Sequence, residues 1–257
     1  DQEDLKEIHY NQIRSWIVML VDQGLANRSV NRKVSSLKTF YNFLQKIDEI
    51  NINPLAKHKS LKVQKKISVP FTEKEVNEVI ELLKEKDDFE GVRNRLIVEL
   101  LYSTGIRRAE LINIKERDIN FEENLLKVLG KRNKERFVVL LPFVIDTIRS
   151  YQNKKNELNN IEDGDYLLLT KKGVKLYETL VYRIINSYFR GVSTKVKKSP
   201  HILRHAFATH LLNKGASLYS VKELLGHSSL ASTQVYTHSS LEELKQVYNK
   251  THPRELN

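Results

Sequence analysis

The sequence predicts a mainly α-helical protein with a small antiparallel β-sheet, organised as two domains. Apolar residues recur every three or four positions over most of the chain, which is the period of helices with one buried face. Two short apolar runs, residues 125–129 and 136–141, flank a polar turn and predict a β-hairpin. A proline and a lysine-rich segment separate a first helical part of about sixty residues from the remainder.

The composition favours a polyanionic partner. The 257 residues include 43 Lys and Arg against 32 Asp and Glu, a formal net charge of +11 at pH 7. Nucleic acid is the commonest partner for such a surplus, and an ordinary basic protein is the alternative. The chain has no cysteine, which excludes disulfides and thiol chemistry. It has no long apolar run and no leader pattern, so we expect a cytoplasmic protein without a membrane span, signal peptide or cofactor.

The first domain is predicted to be helical and to carry one basic face. Asn27 is the predicted N-cap of a helix, and the apolar residues that follow at helical spacing are Val30, Val34, Leu37, Tyr41 and Leu44. The opposite face carries Ser35 and three basic residues: Arg28, Arg32 and Lys38. We predict that this face lies along DNA, and an ordinary solvated face is the alternative.

A lysine-rich segment follows the first domain. Asn53–Pro54 stops the helical pattern, because the residue before a proline is disfavoured in the α region. Residues 57–66 (KHKSLKVQKK) contain five lysines and no acid. We interpret them as an interdomain linker lying against phosphates, with a flexible tether as the alternative; the candidate DNA contacts are Lys57, Lys59, Lys62 and Lys65. The predicted boundaries are 1–62 for the first domain, 63–69 for the linker and 70–257 for the second domain.

A strong helix start opens the second domain. Thr72 and Glu75 have the spacing of a capping box, and Phe71 is placed to pack on Val76. The apolar stripe that follows consists of Val76, Val79, Ile80 and Leu83.

Later elements follow from similar signals. A helix is predicted over residues 92–103, and Gly105 is placed to end it. The hairpin turn falls at residues 130–135, and after Tyr177 the chain is predicted to be helical nearly to its end.

Two segments of this domain carry arginine and lysine at turns. TGIRRAEL (104–111) restarts a helix and places Arg107 at its beginning, with Glu110 spaced to orient a neighbouring arginine. A surface ion pair is the alternative. GKRNKER (130–136) places Lys131 in the hairpin turn, where it either reaches into a DNA groove or is merely solvated.

A third segment, SPHILRHAFATHLL (199–212), is more specific. Ser199 suits an N-cap and Pro200 the first helical position. His201 and Arg204 then share one face of the first turn, near free amide groups and the positive end of the helix dipole, which favour anions. A capped helix with incidental polar residues is the alternative. The residues predicted for the buried face are Leu203, Phe207 and Leu211.

The fourth segment is LLGHSSLASTQVYTH (224–238). Gly226 is placed to end a short helix, His227 follows it, and Tyr236 comes nine residues later. The stripe of that helix is Leu218, Val221, Leu224 and Leu225. The chain has 11 tyrosines, so Tyr236 is notable only through its companions.

Taken together, these residues resemble the active-site signature of the tyrosine recombinases. Their order and spacing are most similar to the bacterial Xer-type recombinases and to related integrases of mobile elements. The resemblance covers almost the whole chain, and His-x-x-Arg, then Leu-Gly-His, then a tyrosine nine residues on is a highly specific pattern. It implies a two-domain, C-shaped clamp on DNA, Glu110 in support, and six catalytic residues: Arg107, Lys131, His201, Arg204, His227 and Tyr236.

The resemblance also implies a role for each residue. Tyr236 is the nucleophile and His201 its candidate base, because ionising a tyrosine near pH 7 otherwise costs about 4 kcal/mol. Arg107 and Arg204 bind the non-bridging phosphate oxygens. The remaining groups are Lys131, the candidate general acid for the 5′ oxygen, and His227, a hydrogen-bond donor to the phosphate.

The implied reaction needs no metal, ATP or other cofactor. Attack by Tyr236 leaves a 3′-phosphotyrosine and a free 5′ hydroxyl, so the bond energy is kept for rejoining. Four protomers, in a homotetramer or heterotetramer on paired sites of double-stranded DNA, would exchange strands through a Holliday junction.

The tail is predicted to form a last helix. Ser239 and Ser240 are placed to cap it, and its apolar residues are Leu241, Leu244, Val247 and Tyr248. In the family such a helix docks on a neighbouring protomer, and packing on its own domain is the alternative.

Two features depart from the family pattern. The chain begins at Asp1 and its first domain is short by one helix, so we expect an N-terminal piece to be missing. Arg132 stands where the family's hairpin often has a second glycine, so the placement of Lys131 is the least secure of the six.

Rival functions and biological roles stay open at this point. A type IB topoisomerase shares the chemistry but only relaxes supercoils, and a DNA-binding regulator could carry an idle site, although all six side chains are chemically competent. The sequence leaves open the target site, and the choice between chromosome partition by dimer resolution and movement of a mobile element. It also leaves open whether a second recombinase or an accessory translocase takes part.

Overall fold

The computed structural model describes residues 7–64, 69–130, 135–226, 248 and 250–254. The chain divides into two compact units, Asp1–Ile67 and Ser68–Asn257. Helices make up most of the described residues, and three short strands form an antiparallel sheet. The predicted fold class, mainly α with a small antiparallel sheet, is confirmed. Among the described helices, none combines the length and apolar composition that crossing a bilayer requires.

The first unit is built on two helices, α1 (Tyr10–Asp22) and α2 (Asn27–Lys46). The predicted stripe of α2 is confirmed, since Val30, Val34 and Tyr41 are buried and Leu37 and Leu44 are partly buried. The residues that complete this small core are Ile13, Ile17, Leu20 and Leu55.

The predicted N-cap of α2 is wrong by one position. The helix already includes Asn27, and Ala26 is the N-cap residue, without a side-chain hydrogen bond. The amide of Asn27 instead donates from Nδ2 to the backbone oxygen of Lys62 at 2.9 Å. The Asn27 side chain therefore binds the backbone of Lys62, 35 positions away, instead of capping α2.

Residues 57–62, which the predicted boundaries assign to the first domain, pack on the first unit, so this part of the lysine-rich segment is not a flexible tether. Asn31 pairs with the backbone of Leu61 in both directions, donating to its oxygen and accepting from its nitrogen, each at 2.9 Å. The Leu61 side chain is partly buried against the core. Lys65 and Lys66 lie outside the described residues.

The second unit contains helices α3 to α9 and the sheet. The helices are α3 (Glu73–Lys84), α4 (Phe89–Thr104), α5 (Arg108–Leu111), α6 (Pro142–Asn156), α7 (Glu178–Val192), α8 (Pro200–Asn213) and α9 (Leu218–Leu225), with a 3₁₀ turn at Glu116–Asp118. The strands are β1 (Ile119–Asn120), β2 (Leu125–Leu129) and β3 (Glu135–Val139), in the order β1-β2-β3.

The hairpin is confirmed, and one strand was missed. Strands β2 and β3 pair antiparallel, with Leu126 opposite Val138 and Leu129 opposite Glu135. Strand β1 has only two residues, which is too short to leave an alternating pattern in the sequence.

The start of α3 forms as predicted. The amide of Glu75 donates to Thr72 Oγ1 at 3.2 Å, and the amide of Thr72 donates to Glu75 Oε2 at 2.7 Å. Phe71 is buried and stacks on Phe189 of α7, with ring centroids 4.0 Å apart. The predicted stripe of α3 is fully buried.

Helix α4 runs through the centre of the second unit. It is buried on nearly every side, as expected for a helix covered by neighbours all round, and it packs on α3, α6 and α8. Asp88 caps its start by accepting from the amide of Gly91 at 3.0 Å, so the helix begins at Phe89, before the predicted position 92. Gly105 ends it in the left-handed conformation, as predicted.

The predicted start of α8 is confirmed, since Ser199 is its N-cap residue and Pro200 its first residue, although the Ser199 side chain makes no capping hydrogen bond. Two other predictions for α8 and α9 need correction. Arg204 is buried together with Leu203, Phe207 and Leu211, so the predicted division into a polar and an apolar face fails at this arginine. Leu218, the first residue of α9, is exposed, so it does not belong to the buried stripe, whereas Val221, Leu224 and Leu225 are buried as predicted.

The described end of the chain packs on its own unit. Tyr248 is buried and its hydroxyl donates to the backbone oxygen of Ser103 at the end of α4. His252 is also buried, with its ring 5.5 Å from that of Tyr102. The other predicted tail positions lie outside the described residues: Ser239, Ser240, Leu241, Leu244 and Val247.

Candidate active site

A sharp turn between α4 and α5 places the first arginine of the site. Gly105 has φ 60° and ψ 21°, and a Cβ built on it would lie 2.4 Å from Cδ1 of Phe207 on α8. Glycine is therefore required both for the backbone conformation and for the close approach of α8. Two residues later, Arg107 is the N-cap residue of the short helix α5.

Glu110 fixes Arg107 through two contacts. Its Oε1 accepts from Arg107 Nη1 at 2.7 Å, and its Oε2 accepts from the Arg107 backbone amide at 2.8 Å. The Glu110 side chain is 4% exposed, whereas that of Arg107 is 41% exposed. The prediction that Glu110 orients a neighbouring arginine therefore agrees with the geometry, and Arg107 keeps a solvent-facing guanidinium.

Arg136 on β3 is the second partner of Glu110, and the sequence reasoning missed it. Its two terminal nitrogens donate to the two carboxylate oxygens at 2.9 Å each. Arg136 is buried on the same inward side of β3 as Val138. The signal that could have found Arg136 is its position in the sequence, where a charged residue falls on the inward face of a short strand.

The two arginines keep Glu110 ionised. Burial acts to raise the pKa of Glu110, but the hydrogen bonds and charge of Arg136, together with the bonds from Arg107, outweigh it and hold the pKa at about 2. One negative charge thus lies between two positive charges, and the group of three retains a net positive charge.

Arg204 ties α8 to two chain segments of the site. Its Nη1 donates to the backbone oxygen of Gly105, and its Nη2 donates to that of Leu225 at 2.7 Å. Burial, and next the charge of Arg107, lower the pKa of Arg204 to about 10, with Glu110 acting in the opposite direction. The guanidinium therefore remains charged near neutral pH, and only 8% of the residue is exposed.

Arg107 and Arg204 converge on the end of α9. Nη2 of Arg107 lies 3.5 Å from the backbone oxygen of Gly226, one residue beyond the carbonyl that Arg204 binds. Gly226 ends α9 in the left-handed conformation, with φ 61°. The carbonyl end of a helix is partially negative, so it is a favourable place for two guanidinium groups.

His201 is exposed in the first turn of α8, the turn that also carries Arg204. The structure thus brings Arg107, Glu110 and Arg204 together and places His201 three residues before Arg204 on α8. Lys131, His227 and Tyr236 lie outside the described residues, although Gly226 directly precedes His227. The described ranges contain no group of three or more acidic and histidine side chains arranged to hold a metal ion.

Comparison with known proteins identifies the family. The phage integrase family model matches residues 46–243, and the phage integrase N-terminal SAM-like domain matches residues 1–46. The chain belongs to the phage integrase family. The predictions of a tyrosine recombinase and of site-specific recombination as its activity are confirmed at this level.

Two bacterial relatives illustrate the match for this integrase. Tyrosine recombinase XerC of Staphylococcus aureus strain JH9 is 39% identical over 97% of this chain and 83% of its own length. Tyrosine recombinase XerC of Chlorobaculum parvum is 35% identical over 96% of this chain and 80% of its own. A solved structure of XerH recombinase bound to palindromic difH substrate, a post-cleavage complex, shares the fold with a TM-score of 0.72. Its sequence is 23% identical, over 98% of this chain and 72% of the XerH chain.

The crowded glycine at the α4–α5 turn gives a test of the site's geometry. We expect Gly105→Ala to lower the free energy of unfolding by about 2–4 kcal/mol, from left-handed backbone strain of ~1 kcal/mol and overpacking of about 1–3 kcal/mol. Gly215→Ala is the matched control, because Gly215 also has a positive φ of 93° but no atom within 4 Å of an added Cβ. Urea denaturation measures both. Equal losses for the two variants would show that contact with Phe207 does not restrain the turn.

Proposed function

We propose that this recombinase cleaves and rejoins double-stranded DNA through a covalent 3′-phosphotyrosine bond to Tyr236. The observation that carries the proposal is the convergence of Arg107 and Arg204 on adjacent carbonyls at the end of α9, beside the turn that bears His201. Two fixed guanidinium groups next to an exposed imidazole suit a phosphodiester whose charge increases as a nucleophile attacks.

The two arginines have different parts in phosphate binding. Arg107 presents an exposed guanidinium, so its free N–H groups are available to a non-bridging oxygen. Arg204 is largely engaged with Gly105 and Leu225, so it contributes mainly a fixed positive charge beside the phosphate. Because Arg107 is already held by Glu110, little conformational freedom is lost when it binds phosphate.

The proton transfers are assigned to the groups that the family resemblance implies. The Tyr236 oxygen attacks phosphorus, the bond to the 5′ oxygen breaks, and His201 accepts the tyrosine proton. Lys131 protonates the departing 5′ oxygen, and His227 donates a hydrogen bond to the phosphate. The guanidinium groups supply the positive charge, so the proposed reaction uses no metal ion or other cofactor.

A basic surface on the first unit is the proposed DNA contact outside the active site. We define it by Arg28, Arg32, Lys59 and Lys62, all of which are exposed. Asn27 and Asn31, the neighbours of the two arginines, hold the backbone of Lys62 and Leu61. The lysine segment is therefore fixed against the start of α2, where its charges add to those of the helix.

The other candidate DNA contacts differ in their exposure. Lys57 is exposed, whereas Lys38 is half-buried and its Nζ lies 3.3 Å from the backbone oxygen of Ala56. Lys38 is for that reason a weaker candidate than its neighbours. Lys65 stays a prediction from the sequence.

Assembly and biological role extend this proposal. Several expectations from the sequence remain predictions. They are a tetramer of one or two kinds of subunit on paired sites, strand exchange through a Holliday junction, an accessory translocase, a C-shaped clamp, the domain boundaries at 62 and 69, and a cytoplasmic location. The burial of Tyr248 and His252 on their own unit supports the alternative of a tail that packs within its own subunit in the single chain. Chromosome dimer resolution and mobile-element transfer fit the site equally well.

Removal of the nucleophile tests the proposed chemistry. We expect Tyr236→Phe to bind DNA with unchanged affinity and to form no covalent adduct, because phenylalanine has no attacking oxygen. The wild-type protein is first incubated with a random-sequence duplex library, and the DNA in adducts that resist denaturation is sequenced to find the target site. Adduct formation by each variant is then measured on a nicked duplex that contains this site. Tyr219→Phe is the control, since Tyr219 is an exposed tyrosine of α9.

The same substrates separate the rival functions. An adduct in Tyr236→Phe would place the nucleophile elsewhere, and the absence of any wild-type adduct would favour an idle DNA-binding regulator. Joined strands from two duplexes indicate a recombinase, whereas a change in linking number alone indicates a type IB topoisomerase.

If the basic surface contacts DNA, Arg32 should contribute more to DNA binding than its neighbour Lys33. We expect Arg32→Gln to weaken DNA binding and to reduce the slope of log affinity against log salt concentration by about 1, since one released counterion is lost. Lys33→Gln removes the same charge from an exposed neighbour that points about 100° away around the helix. Filter binding at several salt concentrations measures both slopes. Equal slopes for the two variants would contradict a contact specific to this face.

A further inference from the structure

We propose that Arg136 is a positioning residue for cleavage, one that holds Glu110 and, through it, the phosphate-binding Arg107. Arg136 lies on β3 and binds both oxygens of Glu110, and the same two oxygens bind the side chain and the backbone amide of Arg107. The proposal rests on the function proposed above, in which Arg107 binds the scissile phosphate.

The charge count explains why Glu110 needs a second arginine. A buried carboxylate paired with Arg107 alone would neutralise the arginine that is to bind phosphate. Arg136 supplies a separate counter-charge, and its two bonds of 2.9 Å each satisfy Glu110 in a bidentate fork. Glu110 can then orient Arg107 while the group of three keeps a net positive charge for the DNA.

Arg136 also contacts the end of α9. A Cβ built on Gly226 would lie 2.7 Å from Cδ of Arg136, so the arginine stem fills the space beside this glycine. The Gly226 oxygen is the group that lies 3.5 Å from Arg107. The contacts therefore form a closed ring from Arg136 to Glu110, Arg107, Gly226 and back, directly before His227.

Among the described residues, Glu110 is the hydrogen-bond partner that the structure gives the Arg136 side chain. The hydrogen bonds that the structure gives its guanidinium both go to Glu110, and its Nε is buried without a partner among the described residues. By contrast Arg93, which is also buried, binds Glu90, Asn94 and the backbone of Leu169, none of which belongs to the site. Arg93 is thus a matched residue with a purely structural set of contacts.

The test compares Arg136→Met with Arg93→Met in single-turnover adduct formation at saturating DNA, between pH 5.5 and 9. We expect Arg136→Met to cleave at least about tenfold more slowly at pH 7, because a small misplacement of a catalytic group has effects of this order, with DNA affinity within about twofold of wild type. Folded Arg93→Met should cleave at the wild-type rate. Arg136→Lys should recover only part of the loss, since a lysine keeps the charge but not the fork.

The pH profile gives a readout that a structural role would not change. Glu110 faces Arg107 on its own helix, Arg136 on β3 and the charge of Arg204 on α8. Without Arg136, burial is opposed by fewer positive partners, so the pKa of Glu110 rises and the carboxylate is lost as pH falls through the new value. The defect of Arg136→Met should therefore grow towards acid pH, and this growth should disappear in Glu110→Gln/Arg136→Met.

The outcomes separate the inference from the proposed function. Three results would overturn the positioning role: equal cleavage rates of Arg136→Met and Arg93→Met, a loss confined to DNA affinity, or a defect that is the same at every pH.

The Arg107 Nε–H signal in NMR spectra of the free protein provides a readout without DNA. We expect Arg136→Lys to broaden or shift this signal. An unchanged signal would overturn the inference even if Arg136→Met fails to fold. A wild-type protein that forms no adduct, with the Arg107 signal still dependent on Arg136, would refute the proposed function alone.

Discussion

The Glu110 carboxylate, bound between Arg107 and Arg136, is the interaction on which the rest of the site depends. It joins the turn after α4 to β3 of the hairpin, two segments that are separated in the sequence. A buried carboxylate is stable only when its charge and its oxygen lone pairs are satisfied, and here four bonds from two arginines satisfy them. Because Glu110 binds both the side chain and the backbone amide of Arg107, this arginine is exposed and yet held in one orientation.

The remaining elements serve to bring other segments to that group. Gly105 lets α8 approach closely enough for Arg204 to bind the backbone of the turn, and the same arginine binds the end of α9. The ends of α4 and α9, the start of α5 and the first turn of α8 thereby meet at one place. In the proposed function, this preassembled arrangement binds phosphate with a smaller loss of entropy than a site that must form around the DNA.

Signals that depend on near neighbours were predictable from the sequence. The capping box of Thr72 and the helix ends at Gly105 and Gly226 all involve residues within a few positions of each other. Arg136, the burial of Arg204 and the packing of residues 57–62 were not predictable in this way. Each depends on a partner that folding brings close, such as Glu110 at 26 positions from Arg136 or Gly105 at 99 positions from Arg204. The family signature nevertheless grouped Arg107, Glu110 and Arg204, which are distant in the sequence and which the structure brings together.

The most direct measurement of this account is a titration of the Glu110 carboxyl carbon by NMR in the folded protein, from pH 7 downwards. An ionised carboxylate held by two arginines should show no titration midpoint above about pH 3, in keeping with a pKa of about 2. A midpoint near 4.5, the ordinary value for a glutamate, would contradict the shared carboxylate and with it the basis for placing Arg107 at the phosphate.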